Sequence, residues 1–162
     1  MIQIKTNNAP MMDDLDQIMR IMDFAFDPQW GEAWNRRQVS DSLMMPNTHY
    51  CLISPAGADL TENEVAAGFF LVRSAPDEEE LLLIAVDPAY RGRGLGRKLL
   101  DRFAHDAANR GAERICLEMR DNNDALHLYR SFGFQQIGLR KDYYRSQDSS
   151  RIDAITFGMD LK

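Results

Sequence analysis

The sequence predicts an α/β fold in which about four helices flank a mixed, mostly antiparallel central sheet of about seven strands. Strand-like runs alternate along the chain with stretches whose apolar residues recur every three or four positions. The longest apolar run, Leu81 to Val86, leads into a glycine-rich turn and an amphipathic helix, a connection typical of α/β proteins. No linker or repeat divides the chain, so residues 1–162 are predicted to form a single domain.

The predicted helices and strands are bounded by turn signals. Stretches with helical spacing stop at Asp27-Pro28, Pro46-Asn47, Gly111 and Gly133, because proline and glycine interrupt helices. In chain order the predicted elements are a strand at Ile2 and Ile4, helices over 11–26 and 32–45, strands over 50–53, 65–73 and 79–86, a helix from Leu95 to Gly111, a strand over 115–120, a helix over 125–132, and strands over 134–144 and 152–161.

The composition is that of a globular protein without a metal or membrane signature. Hydrophobic residues make up 44% of the chain and charged residues 27%. No apolar stretch approaches the ~20 residues that cross a bilayer, and no signal-peptide pattern is visible at the N-terminus. The two cysteines, Cys51 and Cys116, lack metal-ligand spacing with the histidines. We therefore expect a cytoplasmic protein that binds no metal and does not enter a membrane.

The net charge of −6 conceals two unlike halves. Residues 1–90 carry 5 basic and 15 acidic side chains, a balance of −10, whereas residues 91–162 carry 14 basic and 10 acidic side chains, a balance of +4. The acidic half would attract a cationic partner over long range, although solvation of the surface explains any single charge equally well. No basic stripe is interleaved with aromatic residues, so direct nucleic-acid binding is not predicted.

The turn that follows Val86 has the features of an anion-binding site. Three glycines at alternate positions let the backbone turn sharply and approach a ligand closely. The first N–H groups of the following helix have no partner within that helix and point into the turn. The alternative is an arginine-rich turn that merely solvates a helix start. The residues of this turn are Arg91, Gly92, Arg93, Gly94, Leu95, Gly96 and Arg97.

Two other phosphate-binding motifs do not match this turn. There is no GxxxxGK[ST] sequence, and alternate glycines do not make the GxGxxG of dinucleotide folds. The pattern Arg91-x-x-Gly94-x-Gly96 instead resembles the pyrophosphate loop of the GNAT N-acetyltransferases. The predicted order of helices and strands is also that of the GNAT fold.

Two polar side chains in apolar surroundings are candidates for proton transfer. Glu118 lies in the middle of a predicted strand, where a carboxylate is costly unless it is paired, solvated or functional. It is either a salt-bridge partner or a base whose pKa is raised by partial burial. Tyr129 is either a core aromatic or a proton donor to a departing thiolate, since tyrosine, with a free pKa of ~10 against ~8.5 for a thiol, is not ionised at rest.

The surroundings of these two residues resemble the second cofactor segment of GNAT enzymes. The matching residues are Leu-Glu-Met-Arg at 117–120, the two asparagines at 122–123, Ala125, and Leu-Tyr-Arg-Ser-Phe-Gly-Phe at 128–134. Within the superfamily the chain resembles the bacterial ribosomal-protein-alanine acetyltransferases, the RimI type. The shared features are Ile-Ala-Val-Asp-Pro at 84–88, the paired tyrosines at 143–144 and Asp-Ala at 153–154.

The resemblance implies a role for each matched residue. Glu118 corresponds to the general base and Tyr129 to the general acid. The strand entering the loop corresponds to the one whose backbone pairs with the pantetheine arm of the cofactor, as an added strand would. One asparagine should contact the cofactor: Asn122 has the usual spacing to Tyr129, and Asn123 has the usual spacing from Glu118. The implied cofactor-binding residues are Ile84, Ala85, Val86, the loop from Arg91 to Arg97, Asn122 and Asn123.

The resemblance therefore implies an acetyl-CoA-dependent N-acetyltransferase acting on a protein N-terminus, most naturally that of a basic ribosomal protein. Acetyl-CoA would lie in a V-shaped opening between the strand ending at Val86 and the strand containing Glu118. The acceptor amine would enter beside Trp30 and Tyr143. Two alternatives remain open: a small-amine or aminoglycoside acetyltransferase on the same scaffold, and a non-catalytic module that senses acetyl-CoA. Monomer and homodimer are equally compatible with the sequence.

Overall fold

A computed structural model describes residues 12–161 of the chain. The helices are α1 (Met12–Ala25), α2 (Arg36–Leu43), α3 (Leu95–Asn109) and α4 (Leu126–Phe132). The strands are β1 (Thr48–Ile53), β2 (Gly68–Ser74), β3 (Glu78–Val86), β4 (Arg114–Arg120), β5 (Gln135–Arg145) and β6 (Arg151–Asp160). The α/β fold predicted from the sequence is confirmed. The predicted strand at Ile2 and Ile4 lies outside the described residues.

The six strands form one sheet with the order β1-β2-β3-β4-β6-β5. Every neighbouring pair is antiparallel except β3 and β4, which run parallel and are connected through α3. Their pairing is short, because it joins only residues 78–81 of β3 to residues 114–117 of β4. Beyond Leu81 and Leu117 the two strands separate, which leaves a gap at their C-terminal ends.

Helices cover both faces of the sheet. Consecutive side chains of a strand point to opposite faces, so Phe69 packs with α1 and α2 while Phe70 packs with α3. The largest fully buried residues on the α3 side are Phe70, Leu99, Leu100, Phe103, Ile115 and Phe157. On the other side they are Ile18, Ile21, Met22, Phe69 and Leu71. The main sheet contacts of α1 and α2 are with β1, β2 and β3, so the gap between β3 and β4 lies towards the edge of their layer.

The second helix begins later than the predicted start at residue 32. Pro28–Trp30 forms a 3-10 turn that ends at Gly31, whose φ of 61° is left-handed. Asn35 then caps α2, because its side chain accepts a hydrogen bond from the Gln38 N–H and its own N–H donates to the Gln38 side chain, both at 2.8 Å. Residues 31–34 therefore form an irregular segment ahead of α2.

The second strand also starts later than predicted, at Gly68 instead of residue 65. The N–H of Ala66 donates to Oε1 of Gln17 at 2.9 Å, and the carbonyl of Ala66 accepts a hydrogen bond from Arg20 at 2.5 Å. Both backbone groups of Ala66 are therefore used by side chains of α1, and the ladder begins only beyond them. No helix within residues 12–161 is long and apolar enough to cross a membrane.

Candidate active site

A cavity of about 540 Å³ lies where β3 and β4 separate. Its walls come from β3, from β4 together with α4 and the tyrosines of β5, and from the segment between α1 and α2. Among its lining residues are Glu32, Trp34, Ile84, Glu118, Tyr129 and Tyr143. The cavity occupies the V-shaped opening that the sequence predicts.

Glu118 lies on β4 immediately after the last residue paired with β3. Its neighbours Leu117 and Met119 are buried in the core on the α3 side, so the Glu118 side chain faces away from that core. Its Oε2 is 3.3 Å from Nε of Arg140 and 3.5 Å from the Thr156 hydroxyl, which donates to it. The Arg140 side chain is 61% exposed, so water screens this ion pair and the carboxylate stays accessible from the cavity.

Tyr129 lines the same cavity from α4 and belongs to the core at the same time. The residue is buried, and its ring meets the edge of the Phe134 ring at a centroid distance of 5.9 Å. Burial raises the pKa of Tyr129, and the nearby charge of Glu32 acts in the same direction. No protein partner of its hydroxyl is found among residues 12–161. The phenol is therefore protonated at neutral pH and has a hydrogen bond to offer.

The glycine loop is anchored at its start by Asp87. One carboxylate oxygen accepts from the Ala89 N–H at 2.9 Å, and the other accepts from Arg20 at 2.9 Å. Gly92 and Gly94 then adopt φ values of 78° and 76°, a left-handed conformation that strongly favours glycine. These two residues turn the chain sharply before α3 begins.

The N-terminus of α3 has no side-chain cap, because its N-cap residue is Gly94. The N–H groups of the first turn are thus left for an external acceptor, and the helix dipole favours an anion there. Gly96 has a different role in this turn, since a Cβ at this position would come within 3.1 Å of the Leu128 side chain. Its missing side chain lets α3 and α4 pack closely.

The three arginines of the loop each contact a neighbouring group of the protein. Arg91 donates to the Ala25 carbonyl at the end of α1 at 3.2 Å. The Arg93 guanidinium lies over the ring of Tyr90 at 5.3 Å, and that of Arg97 over the ring of Phe132 at 5.5 Å. These contacts are to a carbonyl and to rings, although the charge of Arg91 also helps to lower the pKa of Asp87. The loop therefore keeps most of its positive charge, which favours an anion.

The residues that enter the loop leave one backbone edge open. Val86, Ala85 and Ile84 pair with β2 along one edge of β3. Along the other edge the ladder to β4 stops at Leu81. Backbone N–H and C=O groups that face the gap can therefore pair with an extended ligand in the manner of an added strand.

The two candidate asparagines have different environments. The side chain of Asn122 is exposed and accepts a hydrogen bond from Arg120 at 2.8 Å. Asn123 lines the cavity, and its side-chain oxygen accepts from the Ala125 N–H at 2.9 Å. The structure thus brings Asn123 to the cavity and leaves Asn122 outside its lining.

Comparison with known proteins assigns the family. The sequence profile of the Acetyltransferase (GNAT) family matches residues 15–134. The chain belongs to this family. It is 41% identical over 130 residues to the N-alpha-acetyltransferase RimI of Mycobacterium tuberculosis, an alignment that covers 80% of this chain and 77% of that protein. The likeness to the RimI type inferred from the sequence is confirmed, as is the assignment to the N-acetyltransferases.

Two solved GNAT structures are also similar. The ribosomal-protein-S18-alanine N-acetyltransferase from Escherichia coli superposes with a TM-score of 0.78 at 29% identity, covering 96% of this chain and 92% of that one. The protein yncA from Salmonella typhimurium, solved with its cofactor acetyl-CoA, superposes with a TM-score of 0.55 at 27% identity and covers 62% of this chain and 61% of its own.

On the acceptor side of this GNAT protein, one of the two predicted residues lines the cavity. Tyr143 does so, with the Arg140 guanidinium 5.2 Å from the centre of its ring. The ring of Trp30 instead lies under the Arg120 guanidinium at 4.7 Å, and Trp34 takes a place in the lining. Trp30 is therefore placed behind the lining of the cavity, against Arg120.

Sequence reasoning missed several residues that line the cavity. Glu32, Gln38 and Glu80 reach it from separate elements, and no local spacing connects them. Tyr144 also lines it, and burial raises the pKa of this residue to about 12, with a contribution from the charge of Glu32. The Trp-Gly-Glu-Ala-Trp sequence at 30–34 was the available signal, since a carboxylate between two tryptophans beside a turn is unusual for a core segment. Within residues 12–161, no cluster of three or more His, Cys, Asp or Glu side chains could hold a metal ion.

Proposed function

We propose that this protein transfers the acetyl group of acetyl-CoA to the α-amino group at the N-terminus of a protein, a basic ribosomal protein being the natural acceptor. The observation that carries the proposal is the convergence of Glu118 and Tyr129 on one cavity, at the point where β3 leaves β4. A base for the amine and a proton donor for the leaving thiolate, both within reach of one thioester, are what amide formation from an amine requires. Their position beside the open edge of β3 favours catalysis over simple binding.

The donor half of the site is supported by the loop and by β3. The uncapped N-terminus of α3, with the arginines around it, fits a pyrophosphate. The open edge of residues 82–86 fits an extended pantetheine arm. Backbone N–H groups near Val86 would stabilise the negative charge that develops on the thioester oxygen during attack. Of the two asparagines, Asn123 is the better candidate for a cofactor contact because it lines the cavity.

Glu118 and Tyr129 divide the proton transfers. An α-amino group, with a pKa of ~8, is largely protonated at neutral pH and must lose a proton before it can attack. Glu118 accepts that proton, directly or through a water molecule, while the site holds the amine in line with the thioester carbon. Because the pKa of Tyr129 is raised, this residue is protonated when the C–S bond breaks, and its O–H is the donor for the departing thiolate.

The acceptor class is supported by charge along the chain. Residues 1–90 carry 5 basic and 15 acidic side chains, an excess that would attract a cationic N-terminal segment over long range. Three carboxylates, those of Glu32, Glu80 and Glu118, also line the cavity, although each has an arginine partner. The E. coli relative is named for its action on an alanine of ribosomal protein S18, which has the required chemistry. The proposal includes a cytoplasmic location, a single domain over residues 1–162, no nucleic acid or membrane partner, and a monomer or homodimer.

The test is an acetylation assay with a matched set of acceptors. A basic peptide that starts with alanine should gain the mass of one acetyl group and release one thiol from acetyl-CoA. The same peptide with a formylated N-terminus, which keeps its lysines, should remain unmodified. Turnover of the blocked peptide would assign the protein to the lysine acetyltransferases. Turnover of aminoglycosides or polyamines without turnover of either peptide would assign it to the small-amine class and refute the proposal.

A further inference from the structure

The cavity has two walls that belong to different parts of the chain. One wall is built by β4 and α4, which carry Glu118 and Tyr129. The facing wall is the irregular segment at residues 31–34, which we call the acceptor wall. Residues 31–34 belong to no helix or strand, so contacts with other elements must determine how far this wall stands from β4.

Arg120, the last residue of β4, supplies most of these contacts. Its Nε donates to Oε1 of Glu32 at 2.5 Å, and its guanidinium covers the ring of Trp30 at 4.7 Å. Its Nη1 donates to the Asn122 side chain at 2.8 Å, which fixes the plane of the guanidinium relative to β4. One side chain thus connects both ends of the Trp30–Glu32 turn to the strand that carries Glu118.

This ion pair is sheltered from water to a degree that surface pairs are not. The Arg120 side chain is 12% exposed and that of Glu32 is 20% exposed, whereas the Arg37–Asp41 pair on α2 is 91% and 74% exposed. A sheltered, hydrogen-bonded pair that is joined to a ring holds its geometry far better than an exposed one. The Arg120 contact can therefore act as a rigid spacer.

The hairpin between β5 and β6 holds the 3-10 turn that precedes the acceptor wall. The Gln29 side chain donates to the Ser146 hydroxyl at 2.9 Å, and the Gln147 N–H donates to the Gln29 carbonyl at 3.2 Å. Ser146 is buried, so this contact is also protected from water. The acceptor wall is thus held at β4 through Glu32, and the turn that leads into it is held at the β5–β6 hairpin.

We propose that Arg120 is a positioning residue for the acceptor: by holding Glu32 and Trp30, it sets the width of the opening between the acceptor wall and β4 to that of an extended peptide N-terminus with a small first side chain. This inference rests on the proposed function. Arg120 acts through the wall and not on the reacting atoms, so its loss should affect acceptor binding and the choice of first residue. Acetyl-CoA, which binds to β3 and the loop, should be unaffected.

The experiment compares Arg120→Met with Arg120→Lys in steady-state assays on alanine- and leucine-initiated basic peptides. For Arg120→Met we expect the KM for the alanine peptide to rise about tenfold, which is the loss of about 1.4 kcal/mol of binding. The preference for alanine over leucine should narrow, and the KM for acetyl-CoA should not change. Arg120→Lys keeps the charge but loses the planar contacts, so it should recover only part of the loss.

Two further variants keep the result interpretable. Trp30→Leu removes a ring that does not line the cavity, and it should raise the peptide KM about three- to tenfold, the range of a cation–π contact. If Arg120→Met fails to fold, the peptide KM of Trp30→Leu tests the inference in its place. Arg37→Met, which breaks an exposed ion pair on α2, should match the wild type.

Peptide KM values that match the wild type in both Arg120→Met and Trp30→Leu would overturn the inference. So would a loss confined to kcat, because that result would place Arg120 in the chemistry. A wild-type protein that does not acetylate either peptide would overturn the proposed function and this inference together. Wild-type turnover with unaltered variants would overturn only the inference.

Discussion

Replacement of Gly94 by valine should abolish acetyl-CoA binding while leaving the fold in place. Gly94 has a φ of 76°, and a Cβ built there finds no heavy atom within 4 Å. The cost is therefore a backbone cost and not a clash. A side chain in the left-handed region costs roughly 1–2 kcal/mol, and a β-branched one costs more. The loop can relieve this strain only by a change in its backbone angles, which would turn the N–H groups of the first α3 turn away from the ligand.

The magnitudes follow from that geometry. For a domain of this size, 1 kcal/mol corresponds to a shift of about 2–4 °C in Tm, so the variant should melt a few degrees below the wild type. A hydrogen bond to a charged group contributes about 1.5–3 kcal/mol. The loss of two such bonds to the pyrophosphate should weaken acetyl-CoA binding by about a hundredfold or more.

The matched control is Gly111→Val. Gly111 follows the opposite end of α3, has a φ of 95°, and also has open space around its missing Cβ. Calorimetric titration with acetyl-CoA should show wild-type affinity for this variant and strongly reduced affinity for Gly94→Val, with comparable losses in Tm. Equal affinity of the two variants for acetyl-CoA would refute the assignment of residues 91–97 as the pyrophosphate loop.

Three further predictions concern the chemistry and the anchor of the loop. Glu118→Gln should lower kcat by about 10²–10⁴-fold and flatten the acidic limb of the pH–rate profile, while acetyl-CoA affinity is retained. If the variant instead has a lower Tm and an intact pH–rate profile, Glu118 is a structural ion-pair partner and not the base. Tyr129→Phe should reduce kcat more than it changes either KM, which steady-state kinetics would measure. Its Tm in a thermal denaturation scan should not fall, because the hydroxyl has no protein partner among residues 12–161. Hydrogen bonds from Ala89 and Arg20 lower the pKa of the Asp87 carboxyl. The charged carboxylate therefore stabilises the fold at pH values above the ordinary carboxyl pKa of ~4, and this stabilisation is lost as the pH falls through the lowered pKa. Asp87→Asn should therefore narrow the difference in Tm between pH 7 and pH 3, and an unaltered difference would contradict the role of the carboxylate as an anchor.

The strand, glycine turn and helix start at residues 84–97 could be predicted because their information is contiguous in sequence. The residues from Ile84 to Arg97 form one strand, one turn and one helix start, and each step has a local signal. The different role of Gly96 could not be predicted, because its close approach to Leu128 depends on how α3 and α4 pack. Spacing alone treats three alternate glycines as equivalent, whereas the structure uses two for backbone conformation and one for helix contact.

The acceptor half was harder to predict because it is assembled from distant segments. Trp30 and Tyr143 were both predicted to lie beside the acceptor, but only tertiary contacts decide which ring lines the cavity, since both rings lie against an arginine. The start of α2 shows the same limit. Apolar spacing extends back to residue 32, yet the capping box of Asn35 determines where the helix begins. A local polar interaction there outweighs the periodicity.

The one parallel pair in the sheet explains why the site lies where it does. A parallel connection needs a crossover, and α3 provides it, so the N-terminus of α3 follows the C-terminal end of β3. Ligands of open α/β sheets bind at the C-terminal ends of strands, where such helix starts point. β3 stays paired with β2 as far as Val86, and β4 stays paired with β6 as far as Arg120, but the two strands do not pair with each other beyond Leu81 and Leu117. The resulting gap exposes both the β3 backbone and Glu118, so under the proposed function the topology that ends the parallel ladder is also what would bring donor and acceptor together.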